Sequence, residues 1–181
     1  MTFTIENLKE SDVEAVVKLF HIIIDELHEK SLEVERLHFK DMYPAEEVTN
    51  RLSNKDCIYL VARENDNVAG FMFAWVSEGV GNIHWMGIAP EHRKKGYGDK
   101  LIEETIKIFT EKGCYEAKLF TYPSEKAAYH LFQKHGFREA AFIDRRFFGM
   151  YIIFMVRKIT PVPEEHRTKK IVLAGEAGQC I

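Results

Sequence analysis

The first third of the chain combines a clear helical pattern with a stretch that has no period. Polar and apolar residues alternate over residues 2–5, which predicts a short strand. After Ser11, apolar side chains return every three or four positions, as on one face of a helix, at Val13, Val16, Val17, Phe20, Ile24 and Leu27. Residues 30–44 show no clean period, so we expect variable structure there, followed by a short helix that starts at Pro44.

The middle of the chain predicts three strands in succession. Two apolar, aromatic-rich runs, residues 57–63 and 68–76, flank Glu64-Asn65-Asp66-Asn67, whose residue types suit the tight turn of a hairpin. A third run, residues 82–89, ends at Pro90, which cannot donate to a sheet and so closes the strand. These runs predict an antiparallel meander that ends in a loop.

The second half of the chain predicts two helices and three further strands. One helix starts at Gly98, with an apolar stripe at Leu101, Ile102, Thr105, Ile106 and Phe109. The other runs from Ser124, a favourable cap, to His135, and Gly136 ends it. Strands are predicted at residues 117–121, 137–143 and 148–159. The expected fold is α/β (α+β): a mixed, mostly antiparallel sheet of about seven strands, with helices on both faces.

Composition narrows the classes of protein to which the chain can belong. At 181 residues, 46% of them hydrophobic, we expect a single domain. The net charge of −3 and pI near 6.3 argue against a nucleic-acid binder. No apolar run reaches the roughly 18 residues that span a bilayer, and the charged N-terminal stretch does not resemble a signal peptide. Cys57, Cys114 and Cys180 lack paired spacing, so we expect neither disulfides nor a metal site, in a soluble, cytoplasmic protein.

The most informative segment is Arg93-Lys94-Lys95-Gly96-Tyr97-Gly98, which lies between a predicted strand end and a predicted helix. Its glycines allow the main chain to approach a bulky anion, and the first N–H groups of a helix point outward with the positive end of its dipole behind them. The segment lacks the Gly-Lys-Ser/Thr ending of a nucleotide P-loop and the glycine spacing of a dinucleotide-binding fold. It therefore predicts a cradle for a diphosphate.

This segment resembles the R/Q-x-x-G-x-G/A signature of the GNAT family of N-acetyltransferases, with Arg93, Gly96 and Gly98 at the signature positions. The run over residues 85–90 and the Gly136-Phe137 pair are also typical of that family. The resemblance implies the acyl-CoA N-acyltransferase fold, in which the sheet splays open beside its fourth strand. It also implies acetyl-CoA as the cosubstrate, with no metal.

The resemblance covers residues 1–159 as one acetyltransferase domain and leaves residues 160–181 as a tail, to which we assign no role. In the domain, the pantetheine arm of the coenzyme would pair with main-chain groups of Met86, Gly87 and Ile88, and the Ile88 N–H would face the thioester oxygen. The resemblance places the other coenzyme contacts at Arg93, Lys94, Lys95, Gly96, Tyr97, Gly98, Asp99, Glu125 and Tyr129.

Acetyl transfer to a primary amine requires a base, because only the neutral amine attacks. Asn82, His84, Met86 and Ile88 are expected on one face of the fourth strand, since strand side chains alternate. Of these, His84 is the residue that can act as a base near neutral pH, and it falls on a position where the family commonly has Glu or His. A partly buried histidine bonded to a neighbour is the alternative, and Glu78 and Glu26 are further candidates for the base.

The family's general acid is not matched. A tyrosine that many members use to protonate the leaving thiolate falls on Phe132, and the pantetheine-binding asparagine falls on Glu125. Tyr129 shares the helical face of Phe132 and is the candidate acid, against a packing or surface role. These departures leave a second hypothesis open, a coenzyme-A-binding sensor or partner module without transferase activity.

The identity of the amine stays open among a polyamine, an aminoglycoside, a free amino acid, a protein N-terminus and a lysine side chain. The first helix and the segment after it are rich in acidic residues: Asp25, Glu26, Glu29, Glu33, Glu35, Asp41, Glu46 and Glu47. They form either an acidic rim that favours a cationic amine or the solvated face of helices. Phe39, Tyr43 and Trp75 belong either to an acceptor pocket or to the core. The oligomeric state is also open, with a homodimer as one option.

Overall fold

A computed structural model describes residues 3–27 and 33–161. Its seven strands are β1 (Phe3–Asn7), β2 (Cys57–Glu64), β3 (Asn67–Ser77), β4 (Val80–Ile88), β5 (Glu116–Thr121), β6 (Arg138–Ile143) and β7 (Ile152–Lys158). They form one sheet in the order β1-β2-β3-β4-β5-β7-β6. Among these strands, β4 and β5 run parallel and the other neighbours antiparallel. The predicted mixed sheet is confirmed.

Helices cover both faces of the sheet, as predicted. They are α1 (Val13–Leu27), α2 (Glu33–Asp41), α3 (Ala45–Leu52), α4 (Tyr97–Glu111) and α5 (Lys126–Lys134). On one face, α1, α2 and α3 enclose a core that includes Phe20 and Phe71, and on the other, α4 and α5 enclose a core that includes Leu101 and Phe132. Within the described ranges, no helix combines the length and apolar character needed to cross a bilayer.

Residues 33–41, where the sequence shows no clean period, form α2. Only Glu35 and Phe39 of this helix are buried, while Val34 and Leu37 are 59% and 52% exposed. A helix that buries so few side chains leaves no apolar stripe in the sequence.

Several element boundaries also differ from the prediction. β4 starts at Val80 rather than residue 82, and α5 starts at Lys126, with Glu125 rather than Ser124 before it. β7 starts at Ile152 because Phe148, with a φ of 50°, interrupts the extended backbone. Residues 162–181 of the tail lie outside the described residues.

Strand β4 contains a bulge at His84. The register skips this residue, since its two neighbours pair with Phe73 and Ala74, which are adjacent on β3. A bulge interrupts the alternation of side chains. His84 therefore lies on the face covered by α1 to α3, whereas Met86 and Ile88 pack against the core under α4. The expectation that His84 shares a face with Met86 and Ile88 was wrong.

The sheet splays open between β4 and β5. The two strands pair over only three positions, Val80–Asn82 on β4 and Glu116–Lys118 on β5. Beyond these residues, no ladder joins the two strands in the part of the chain that the structure describes. The C-terminal half of β4 therefore borders a gap, and α4 begins shortly after that half ends.

Candidate active site

The main chain of β4 presents hydrogen-bond donors to the gap. Just past the strand, the Ala89 N–H donates to the Ala69 carbonyl beside β3, at 2.9 Å. Bonding groups alternate along an antiparallel strand, so the N–H groups of Met86 and Ile88 point away from β3, toward the gap. The N–H of Gly87 points to β3 by the same rule. The expected pantetheine contacts are thus supported at Met86 and Ile88 and not at Gly87.

The loop before α4 carries a run of main-chain N–H groups that no acceptor engages. Gly96 precedes the helix with a φ of 88°, a left-handed conformation that favours glycine. Within the described structure, no hydrogen bond is donated by the N–H groups of residues 94–99, whereas the Arg93 N–H donates to the Pro90 carbonyl at 3.3 Å. The amides that open this 15-residue helix also carry the positive end of its dipole. The arrangement suits a diphosphate.

The side chain of Arg93 is engaged away from the cradle. Its guanidinium pairs with Glu26 of α1, and its Nε donates to the Ile88 carbonyl at 3.1 Å. Lys95 lies 3.4 Å from a carboxylate oxygen of Glu64. Arg93 therefore joins the end of β4 to α1, and this position does not support a direct phosphate contact by its side chain. Lys94 is exposed, and no partner contacts its amine among the residues described.

Tyr97 and Asp99 hold the loop against the rest of the domain. Tyr97 is 4% exposed and packs edge-on against Phe3, with ring centroids 4.3 Å apart. Asp99 lies 2.5 Å from Lys134 and 2.9 Å from His135, which ties the start of α4 to the end of α5. Only the main-chain N–H groups of Tyr97 and Asp99 remain candidates for coenzyme contacts.

Gly98 allows α4, α5 and β4 to meet where the cradle joins the gap. A Cβ on Gly98 would lie 2.8 Å from Leu131 Cδ2 and 4.0 Å from Met86 Cε. Since a contact of 2.8 Å is too short for two carbons, a larger residue would require the Leu131 side chain to shift. Gly98 thus permits close packing of α4 against α5.

His84 is a neutral imidazole at pH 7. Its Nδ1 is hydrogen-bonded to the Tyr43 hydroxyl, and its ring packs edge-on to Trp75 with centroids 5.1 Å apart. Burial, together with the nearby Arg51 charge, lowers the pKa of His84 to about 4. A base with so low a pKa accepts a proton from an ammonium group only at a large free-energy cost. His84 is therefore a weaker base than the sequence suggested.

A cavity of about 340 Å³ lies beside His84 and is lined by Met42, Tyr43, Arg51, Cys57, Tyr59, Trp75 and His84. Arg51 of α3 donates to the Tyr59 hydroxyl at 3.2 Å, and its Nε lies 2.6 Å from Glu47. The sequence analysis singled out Tyr43 and Trp75 and missed Arg51 and Tyr59. No sequence signal identified Arg51, because a charge on a short amphipathic helix usually faces solvent.

Comparison with known proteins decides the family. The model of the acetyltransferase (GNAT) family matches residues 21–137, which is more than half of the chain. The chain belongs to the GNAT acetyltransferase family.

Relatives of this GNAT protein are distant in sequence. It is 24% identical over 103 residues to a spermidine N(1)-acetyltransferase from Thermoplasma acidophilum, a match that covers 55% of this chain and 64% of that protein. It is 29% identical over 83 residues to a mycothiol acetyltransferase from Clavibacter sepedonicus, covering 45% of this chain and 27% of that protein. The chain thus spans less than two thirds of the length of these curated relatives.

Solved structures share the fold of this GNAT protein. A PaiA N-acetyltransferase from Thermoplasma acidophilum, solved in complex with coenzyme A, superposes with a TM-score of 0.75 at 20% identity, over 87% of this chain and 99% of that chain. A ribosomal-protein-alanine N-acetyltransferase from Brucella melitensis superposes with a TM-score of 0.69 at 19% identity, over 86% of this chain and 99% of that chain. At these identities the likeness shows the acyl-CoA N-acyltransferase fold.

One residue of α5 differs from the pattern expected of a GNAT enzyme, and Tyr129 of the same helix is the candidate to replace it. Phe132, at the position of the usual tyrosine, is 6% exposed and packs against Phe137 with ring centroids 5.7 Å apart. The Tyr129 hydroxyl donates to Glu139 of β6 and accepts from Gln133 at 2.8 Å. The bond to Glu139 raises the pKa of Tyr129. These contacts do not favour Tyr129 as a proton donor in the gap, and its catalytic role stays a prediction.

Tyr122 and Glu125 lie between the end of β5 and the start of α5. Burial and the neighbouring Glu125 and Glu35 charges raise the pKa of Tyr122 to about 12, so its hydroxyl is protonated at neutral pH. Burial also raises the pKa of Glu125, against the opposing effect of Arg93. The sequence analysis selected Glu125 by alignment and missed Tyr122, because a tyrosine at a strand end carries no distinctive pattern.

Three acidic side chains of the first helices are held in ion pairs. Asp25 lies 2.7 Å from Lys40, and both Glu26 and Glu47 are paired with arginines. Glu29 is outside the described residues. Glu78 lies in the turn before β4, at the opposite end of that strand from the cradle. The solvated-face interpretation therefore fits the three paired acids better than an acceptor rim does.

Proposed function

We propose that this GNAT protein is an N-acetyltransferase that moves the acetyl group of acetyl-CoA to a primary amine, which attacks directly in a ternary complex. The observation that carries the proposal is the end of β4–β5 pairing at Asn82 and Lys118, which opens a gap beside the N-terminus of α4. The gap can hold an extended arm, and it continues to the unpaired amides at the start of α4. These two features match a ligand in which pantetheine is joined to a diphosphate.

Bound acetyl-CoA supplies a thioester whose carbonyl carbon an amine can attack. In our proposal, the main-chain N–H groups of residues 94–99, with Lys94, hold the diphosphate. The Met86 N–H orients the pantetheine arm, and the Ile88 N–H donates to the thioester oxygen as negative charge develops on it. A donor already fixed in a strand needs no reorganisation during the reaction, which makes its contribution to rate large.

We propose that the acceptor amine lies beside His84 and that its proton passes to solvent water. Because the pKa of His84 is lowered to about 4, this residue is unprotonated throughout the neutral range, and its own titration does not limit the rate there. The ionisation of the acceptor amine then controls the pH dependence, so the rate rises with pH toward the pKa of that amine. The leaving thiolate, with a pKa of about 8.5, can take its proton from solvent.

A panel assay tests the proposal. Purified protein is incubated with acetyl-CoA and one amine at a time, and free thiol is followed. We expect thiol release that depends on the amine and an acetylated product by mass spectrometry. If coenzyme A binds but no amine releases thiol, the alternative holds, a coenzyme-A-binding module without transferase activity. The buried Phe132 in place of a hydroxyl-bearing residue is the observation that keeps this alternative open.

We also propose a cytoplasmic location, since Cys57 and Cys114 are both unpaired thiols in the described structure. Fractionation of cells that produce the protein tests this location. Light scattering on the purified chain tests whether it forms the homodimer that the sequence left open.

A further inference from the structure

The described polar side chains that line the cavity beside His84 are positively charged or neutral. Within the described ranges, no carboxylate lines it, although it includes Arg51, Trp75, two tyrosines and His84. Guanidinium and indole groups only donate hydrogen bonds. What the tyrosines and the histidine offer to a ligand depends on where their protons lie.

The proton of His84 can be assigned from its neighbours. The Arg51 guanidinium lies over the Tyr43 ring, with its central carbon 4.9 Å from the ring centroid, and offers no acceptor for the Tyr43 hydroxyl proton. The same hydroxyl meets Nδ1 of His84, and Tyr43 is 1% exposed. If Nδ1 were the donor, the hydroxyl proton would be buried without an acceptor, which is unfavourable. The Tyr43 hydroxyl therefore donates to Nδ1, and the neutral ring of His84 carries its proton on Nε2.

The proton of Tyr59 is constrained by Arg51. Arg51 Nη1 donates to the Tyr59 oxygen at 3.2 Å, so this oxygen accepts, and its own proton is directed elsewhere. The lining thus contains four residues that carry N–H or O–H donors: Arg51, Trp75, His84 and Tyr59. Glu47 lies outside the lining. Its carboxylate oxygen is 2.6 Å from Arg51 Nε and offsets part of the positive charge of Arg51.

We propose that this cavity receives the acceptor and selects amines that also carry a carboxylate or carbonyl oxygen, such as an amino acid or a peptide terminus, over polyamines. The inference rests on the proposed acetyl transfer, because it assigns the acceptor of that reaction. An oxygen with lone pairs satisfies the donors around it, and a carboxylate also gains the attraction of the guanidinium. An ammonium group would find no carboxylate in this lining.

Aromatic rings provide the opposite argument, since they attract cations. A polyamine lying over the rings of Tyr43 and Trp75 is therefore the rival occupant. However, the Arg51 guanidinium already lies over the Tyr43 ring, with its central carbon 4.9 Å from the ring centroid. A second cation beside it would be repelled, and more strongly in a partly buried cavity than in water.

Two matched ligand pairs test the proposal. Lysine and cadaverine differ only by a carboxylate, as do phenylalanine and phenethylamine. Binding of all four is measured by calorimetry, with and without coenzyme A. We expect the carboxylated member of at least one pair to bind about tenfold more tightly, the scale of one charge-assisted hydrogen bond. Arg51→Gln should remove this preference, and Arg51→Lys should retain part of it.

Two results would overturn the proposal: equal or tighter binding of the amine without a carboxylate in both pairs, or no binding of either carboxylated amine at millimolar concentration. Thiol release is measured with the same four amines and acetyl-CoA. If the carboxylated amines bind, but neither these four amines nor any amine of the wider panel releases thiol, the enzyme proposal is refuted and the cavity proposal stands. If cadaverine releases thiol and lysine and phenylalanine do not, the cavity proposal is refuted and the enzyme proposal stands.

The proton assignment has its own test, which needs neither turnover nor ligand. In a ¹⁵N-histidine-labelled protein at pH 7, the His84 signals, identified by their loss in His84→Gln, should show a protonated Nε2 and an unprotonated Nδ1. Tyr43→Phe should shift the ring toward the other tautomer, whereas the control Tyr59→Phe, which leaves the Nδ1 contact in place, should not. A protonated Nδ1 in the wild type, or identical His84 spectra in the two variants, would remove the donor-only lining and the proposal with it.

Discussion

At the scale of single residues, His84 shows how one inserted position changes the environment of a side chain. Without the bulge, His84 would share a face with Met86 and Ile88. With it, the ring enters the core under α1 to α3, bonds to Tyr43 and lies near Arg51. Desolvation and the nearby positive charge both oppose protonation, and so the same residue type yields a much weaker base.

The lowered pKa of His84 predicts a loss of stability in mild acid. Between its ordinary value of 6.5 and about 4, the unfolded chain binds a proton at this position that the folded chain does not. The free energy of unfolding should therefore fall as pH decreases across that window, by up to about 3 kcal/mol from this residue. Urea titrations at a series of pH values should show this loss in the wild type and its absence in His84→Gln. The control His130→Gln, at an exposed position on α5, should keep the acid sensitivity.

Gly96 is predicted to matter for two separable reasons. Gly96→Ala forces an alanine into a left-handed φ of 88°, which costs about 1–2 kcal/mol, and places a methyl group beside the cradle. Gly113, past the end of α4, has a φ of 73° and the same open surroundings, so Gly113→Ala is a matched control. Both variants should lose similar stability in thermal melts, and only Gly96→Ala should bind coenzyme A more weakly by calorimetry. Equal affinities would contradict the cradle.

At the scale of elements, α5 carries a buried phenylalanine where the family pattern predicts a tyrosine. The helix directs Phe132 into the core with Phe137, and it directs the Tyr129 hydroxyl to Glu139 on β6, at the far edge of the sheet. The contacts of Asp99 with Lys134 and His135 fix the end of this helix against α4. A residue of α5 could therefore act as the general acid in the gap only if these contacts changed.

The placement of α5 predicts a small catalytic effect of Tyr129. Tyr129→Phe removes the hydrogen bonds to Glu139 and Gln133, which should lower the free energy of unfolding only slightly, because both bonds are exposed to solvent. Thiol release should stay within about threefold of the wild type, because general acid catalysis, where it operates, contributes far more. Gln133→Ala, which breaks only one of the two bonds, is the control for stability. A loss of thiol release by two orders of magnitude would instead place Tyr129 at the thioester.

At the scale of the whole molecule, the sheet is divided by the gap into a larger part, β1 to β4, and a smaller part, β5 to β7. Three paired positions between β4 and β5 join the parts within the sheet, and α4 bridges them from one face. A ligand lying in the gap would contact both parts at once. Its binding should therefore stabilise the native state as a unit.

Coenzyme A is predicted to raise the melting temperature. At a hundred times its Kd, a ligand that binds only the folded state adds about 2.7 kcal/mol, which corresponds to roughly 5–10 °C for a domain of this size. Differential scanning fluorimetry measures the shift, with adenosine as the comparison ligand that lacks both diphosphate and pantetheine. Hydrogen exchange should show added protection at the amides of Met86 and Ile88. Protection that misses β4 would contradict the proposed path of the arm.

Sequence by itself determined the mixed sheet and the two-sided helical cover, and it located the glycine-containing loop before α4, because each depends on local periods or on glycines at fixed spacing. The run from Arg93 to Gly98 needed no tertiary information to be recognised. Only the tertiary structure decided which groups meet: Arg51 with Tyr43 and His84, Arg93 with Glu26, and Tyr129 with Glu139. Such contacts join residues that are far apart in the chain. The bulge at His84 depends on how β4 pairs with β3, and the alternation of side chains within one strand does not reveal this pairing.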